Sequence, residues 1–117
     1  MMDPLERTIN YLEACLEDIR VSQDAPANTK TLPEYVLVAR TGGYAYQFLD
    51  VPRFTIDCHA ASGKAAYQLA CRVKDYLFDM PSHDDKASDV VVNSFYRDDW
   101  KDGYPCYSLH VQITFNV

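Results

Sequence analysis

Three features of the sequence predict an α+β fold: a sheet of about four strands, antiparallel or mixed, with two helices packed on one face. Two segments carry apolar residues at the three- and four-residue steps of a helix. Four others carry β-branched or alternating patterns typical of strands. Their order is helix, strand, strand, helix, strand, strand. Hairpins alternating with amphipathic helices favour a sheet covered by both helices on one side, its other side left to solvent or a partner. A chain of 117 residues is one domain by length. It can bury roughly two-thirds of the surface its unfolded form exposes, so a metal or disulfide staple is not required.

The first helix has its start written locally. Asp3 can cap it, Pro4 suits its first position, and Glu6 stands where a capping box needs a reciprocal acceptor. Leu5, Ile9, Leu12, Leu16 and Ile19 then form one apolar stripe, which predicts a helix ending near Arg20. Glu13, Glu17, Asp18 and Arg20 fall on the outer, solvated side. Ser22 to Pro33 is polar and proline-bearing, a loop.

Tyr35 to Arg40 reads as the first strand, bounded by Pro33 and by Gly42-Gly43. In the next, Phe54, Ile56, Cys58 and Ala60 alternate with Arg53, Thr55, Asp57 and His59, so one face is apolar and the other polar. The segment Tyr44 to Pro52 is too long for a tight turn and is expected to hold a short strand or a flap carrying Tyr44, Tyr46 and Phe48. Ser62 caps the second helix, whose inner stripe is Ala66, Leu69, Ala70, Val73 and Leu77 and whose end is Met80-Pro81. Ser82 to Ser88 is a polar linker. Val90 to Arg97 reads as the third strand. Tyr107, Leu109, Val111, Ile113 and Phe115 alternate with polar partners as the fourth, and Asp102-Gly103 in the connecting loop makes these two a hairpin.

Composition narrows the function classes. Eleven basic against 17 acidic residues give a net charge of −6, which disfavours a surface that grips nucleic acid through phosphates. The longest apolar runs are far short of a bilayer span, and Met1-Met2-Asp3-Pro4 does not open a secretion signal, so a cytoplasmic, non-membrane protein is expected. Cys15, Cys58, Cys71 and Cys106 are widely spaced and are expected to be free thiols.

The candidate chemistry is thin. Thr41-Gly42-Gly43 is followed by extended chain and not by a helix, which makes it a turn needing positive φ and not a phosphate loop. Ser62-Gly63-Lys64 opens a helix but lacks the upstream glycine of a nucleotide-binding loop. Cys58 and His59 are neighbours on a strand and point to opposite faces, so they cannot pair as nucleophile and base. A small thiol hydrolase would need Cys58 or Cys106 with His110. The histidines and cysteines lack the short hooks of a zinc centre. Asp79, Asp84, Asp85 and Asp89 lack the spacing of a calcium loop and read as solvated linker. No cofactor is implied. Trp100, among four charges in a hairpin loop, is either an interface anchor or folded back on its own hairpin.

The succession from Tyr35 through Arg40-Thr-Gly-Gly43, then Asp50-Val-Pro-Arg-Phe-Thr-Ile-Asp-Cys-His-Ala60, then the alanine-rich helix to Leu77 and the Met-Pro break, resembles the small tail terminator (tail completion) proteins of long-tailed bacteriophages and prophages. A strand ending in Arg-Thr-Gly-Gly, an Asp-x-Pro lead-in to the next strand and an Ala-rich helix ending before Pro recur there in this order. The similarity spans nearly the whole chain.

The resemblance implies a structural protein and no chemistry. It implies a ring of identical copies, usually a hexamer, that docks on the last ring of the tail tube, stops its polymerisation and presents a surface to the head completion or neck proteins. DNA would pass through without specific binding, past acidic charge that acts only within about a Debye length of the lumen, ~8 Å. The setting implied is the host bacterial cytoplasm during assembly and then the virion neck. A head–tail joining protein on the portal side would share the ring logic. Under this reading Arg40, Asp50, Arg53 and Asp57 form ion pairs within the hairpin or between subunits, and Thr41, Gly42, Gly43, Tyr44, Tyr46, Trp100 and Tyr104 complete the expected interface. A closed ring needs a heterologous contact, and the two hairpins offer the two patches.

Overall fold

The computed structural model describes residues 3–24, 34–99 and 104–116. Its elements are helix α1 (Pro4–Cys15), strands β1 (Arg20–Ser22), β2 (Glu34–Ala45) and β3 (Leu49–Ala60), helix α2 (Gly63–Asp79) with a 3-10 turn at Met80–Ser82, and strands β4 (Ala87–Arg97) and β5 (Cys106–Asn116). The strands form one mixed sheet in the order β1-β2-β3-β5-β4. Only β1 and β2 are parallel; the other neighbours are antiparallel. The α+β class and the two helices on one face are as the sequence predicts, with one more short strand.

That strand exists because α1 stops early. Asp3 caps it through a bond from the Leu5 N–H and Pro4 takes the first position, as expected, but the helix ends at Cys15 and not near Arg20. Glu17 and Asp18 would extend the helix with acidic charge at the negative end of its dipole, which is unfavourable. The chain turns instead, with the Ile19 N–H bonded to the Leu16 carbonyl. Leu16 and Ile19 still reach the core, and Arg20–Ser22 pairs beside Tyr35–Leu37.

α2 follows its sequence reading closely. The Ser62 hydroxyl accepts the Ala65 N–H at 3.1 Å, and the buried stripe is Ala66, Leu69, Ala70, Val73 and Leu77. It packs mainly over β3 and β5, while α1 lies over β1 and β2. Leu12, Leu16 and Ile19 join Leu69, Val73 and Leu77 above Val36, Val38, Phe54, Ile56, Leu109, Val111, Ile113 and Phe115 in a single core.

Two expectations about the first hairpin are corrected. Thr41-Gly42-Gly43 is not a turn: it lies inside β2, where the register slips between Arg40 and Gly42. Gly43 does have positive φ, +107°, and a Cβ there would sit 2.2 Å from the Val51 carbonyl oxygen. The glycine lets β3 approach a bulged strand. Nor does Tyr44 to Pro52 hold a flap, because both strands run on to a tight connection at Gln47 and Phe48, closed by the Tyr46 N–H to Leu49 carbonyl bond of 2.7 Å.

The sheet face opposite the helices is not wholly open. Tyr35, Leu37, His59, Cys106 and Ser108 are buried there. Cross-strand pairing places Tyr35 opposite His59 and His59 opposite Cys106. The Tyr35 and His59 rings stack with centroids 4.5 Å apart. Tyr104 lies over both, at 6.3 and 6.0 Å.

Candidate functional site

The β2–β3 hairpin gathers most of the residues singled out in the sequence. Past Val38, β2 is exposed through Ala45. Tyr44, Tyr46 and Phe48 are 50%, 68% and 69% exposed at the hairpin end. Tyr44 and Tyr46 meet edge to face at 5.5 Å, which holds the pair as one apolar unit. Tyr44 is level with Val51, which alternation puts with Arg53 on the face away from the helices, and among the described residues β1 flanks β2 only as far as Leu37.

Arg40 and Asp50 are drawn together by the hairpin. The guanidinium donates two bonds to the carboxylate, at 3.0 and 2.8 Å, and a third contact reaches the Gly42 carbonyl at 3.4 Å. Its bond to Asp50 holds the Arg40 guanidinium above its ordinary pKa. Of the two forms of ion pair expected, this is the one within the hairpin. Thr41 bonds the Thr55 hydroxyl at 2.9 Å, pinning the bulged residue across the strand pair.

The other expected interface residues fall elsewhere. Arg53 is exposed on the face away from the helices, level with Gln112. Asp57 is half-buried and accepts the Ser108 O–H at 2.6 Å, a bond between neighbouring strands. Tyr104 packs on Tyr35 and His59 of its own chain. Trp100 lies outside the described residues, as do Asp102 and Gly103. The burial of His59 is what sequence reasoning missed: alternation assigns it to the polar face, and only the register that brings Tyr35 opposite it closes that face.

Cys58 and Cys106 are poor nucleophiles as placed. Burial pushes the Cys58 thiol well above its ordinary pKa. Burial, with the Asp57 charge nearby, pushes Cys106 up to about 12. Cys58 belongs to the helix-side core, whereas His110 is on the other face with Tyr96, whose hydroxyl it meets at 3.0 Å. Cys106 and His110 share a face, yet four residues of strand separate them by roughly 13 Å, beyond hydrogen-bond reach.

The start of α2 is similarly occupied. Ser62 fills the cap, and a Cβ on Gly63 would meet the Arg97 guanidinium at 2.7 Å. Arg97 in turn holds the Asp99 carboxylate, which also accepts the Cys106 N–H. In the acidic linker, Asp84 binds Arg7 through two bonds and Asp79 meets His83 at 2.9 Å. Among the described residues no helix is long and apolar enough to cross a membrane.

Comparison with known protein families finds no match, and no curated protein matches the chain.

Proposed function

We propose that this chain is a structural protein of virion assembly, a tail terminator of a long-tailed phage or prophage. Copies join in a ring, hexameric as the resemblance implies, which caps the tail tube, halts its growth and receives the neck proteins of the head while DNA passes through the lumen. The observation that carries this reading is the exposed hairpin. It is braced by a bidentate Arg40–Asp50 pair and presents Tyr44 at the end of β2 and Tyr46 and Phe48 in the connection to β3, and among the described residues the outer edge of β2 is unpaired past Leu37. Exposed aromatics on a braced element suit an interface better than a solvated surface, since aromatic anchors concentrate where partners bury them.

The reading is tested with purified protein and polymerising tail tube protein, the tubes being measured by negative-stain electron microscopy. Short tubes carrying a ring at one end are expected, with the isolated protein weakly associated until it is concentrated or meets a tube. Unchanged tube lengths together with binding to portal-side proteins would transfer the assignment to a neck protein. Persistent monomers with no effect on tube length would end it.

A further inference from the structure

We propose that the outer edge of β4, with the flank of α2 beside it, receives a second copy of this chain, which docks the open edge of its own β2 over Val38–Ala45 so that the two sheets run on as one. The inference deepens the ring reading and rests only on its self-association.

The receiving edge is long and poorly guarded. Among the described residues β4 pairs with β5 alone, so its outer N–H and C=O groups face solvent along Ala87–Arg97. The run Val90-Val91-Val92-Asn93-Ser94-Phe95-Tyr96 contains no charge, proline or glycine. Free edges are ordinarily blunted by such residues, and an unblunted one is a template for a further strand. Only bulges, between Ala87 and Asp89 and between Val92 and Ser94, interrupt it.

The layer above that edge is also unfinished. Tyr67, Lys74 and Phe78 share one flank of α2 by their helical spacing. Tyr67 stands 5.6 Å from Phe95, and the Lys74 ammonium lies 5.8 Å from the same ring. Val90, Val92 and Phe95 rim the core without full cover, and Tyr67 and Phe78 are about half exposed. The core therefore runs out to the sheet edge and stops open there.

The chain itself carries the complementary half. Among the described residues β2 has no outer neighbour from Val38 to Ala45, and Gly42 and Gly43 offer bare backbone. Through the three antiparallel pairings, β2 and β4 run in opposite directions, so a copy brought alongside in the same orientation pairs antiparallel. No sliding is needed: Gly42 is level with Val91 through Arg53 and Gln112, and Ala45 is level with Ala87 through Asp50 and Phe115.

Charge agrees with this placement. Tyr11 marks the side of α1 that faces α2, its hydroxyl bonding the Tyr76 carbonyl. Glu6 and Glu13 sit roughly 200° around the helix from it, exposed on the outer flank over β1 and β2. Joined edge to edge in one helical layer, that acidic flank of one copy approaches Lys74 of the next. Such a contact is heterologous, and it closes into a ring or continues as a filament according to the rotation between copies.

The test is cross-linking of the full chain carrying Gly42→Cys and Val91→Cys, with Cys15→Ser and Cys71→Ser to remove the two half-buried thiols. A Cβ at Gly42 has room, its nearest neighbour being the Arg53 Cβ at 3.9 Å. Mild oxidation is expected to give a ladder of disulfide-linked species beyond the dimer on a denaturing gel, with each single cysteine variant left without cross-links. Dimers from Val91→Cys alone would mean that two β4 edges meet, and would overturn the proposal. Multimers seen by light scattering but never cross-linked would also overturn it while leaving the ring reading standing. Monomers at every concentration, with tube protein present and tube length unchanged, would remove both. A second variant avoids the strands: Lys74→Glu should weaken self-association about fivefold, and adding Glu13→Lys should restore it. Weakening without restoration would overturn this pairing.

Discussion

Arg7 reaches Asp84 across 77 positions of sequence and fastens the start of α1 to the linker after α2. The pair is largely shielded, with side-chain exposures of 26% and 11%. Bonding to Arg7, helped by the Lys86 and Ala87 N–H groups, holds the Asp84 carboxyl below its usual range despite partial burial. Asp84→Asn is therefore expected to lower stability at neutral pH by about 1.5–3 kcal/mol, the range for a hydrogen bond to a charged group. Because the folded-state pKa is depressed, the ionised group's contribution is fully present above the unfolded carboxyl pKa of about 3.9. It is lost as pH falls through the lower folded value. Thermal melts of the two proteins should differ most above about pH 5 and converge as pH falls through the depressed folded-state value; a difference that persists unchanged in acid would assign the effect to packing. Nothing local in the sequence marks this pair, since Asp84 reads there as one of several linker acids.

At the level of the element, β2 shows how one residue sets the course of a strand. Thr41-Gly42-Gly43 does call for positive φ, as the sequence reading requires, but the conformation belongs to a bulge inside the strand. Glycine pairs signal a backbone need and not its place, because the same φ serves a turn or a bulge. Gly43→Ala would force a Cβ against the Val51 carbonyl and hold alanine at φ +107°. It is expected to cost about 2 kcal/mol, in the range for a strained residue, and to loosen the Arg40–Asp50 clasp. Chemical denaturation checks the first effect and proteolysis within the hairpin the second. An alanine variant as stable as the parent would show that the bulge can relax.

Over the whole molecule, protection should follow strand position. β3 and β5 are paired on both sides and lie under α2, whereas among the described residues β4 and the distal half of β2 are paired on one side only. In dilute solution, amide hydrogen exchange is expected to be slowest in β3 and β5 and fastest, among the strands, in Val38–Ala45 and β4. β4 amides as slow as those of β5 in a demonstrated monomer would contradict this order. The same two edges are the surfaces through which copies are proposed to join, so the measurement also supplies the baseline for assembly.

Sequence alone determined the α+β class, the caps at Asp3 and Ser62, the buried stripe of α2 and the inward set Leu109, Val111, Ile113 and Phe115. All of these rest on short-range periodicity and capping, which act within a few residues. It also singled out Arg40, Asp50, Tyr44 and Tyr46 as one neighbourhood. Only the tertiary structure decided that Leu16 and Ile19 enter the core by way of a turn, that His59 is buried against Tyr35, that Tyr104 packs on both, and that among the described residues β4 and half of β2 have no outer neighbour. Those outcomes depend on register and on strand order beyond the hairpins, such as β3 beside β5, which are contacts between segments far apart in the chain that no local pattern encodes.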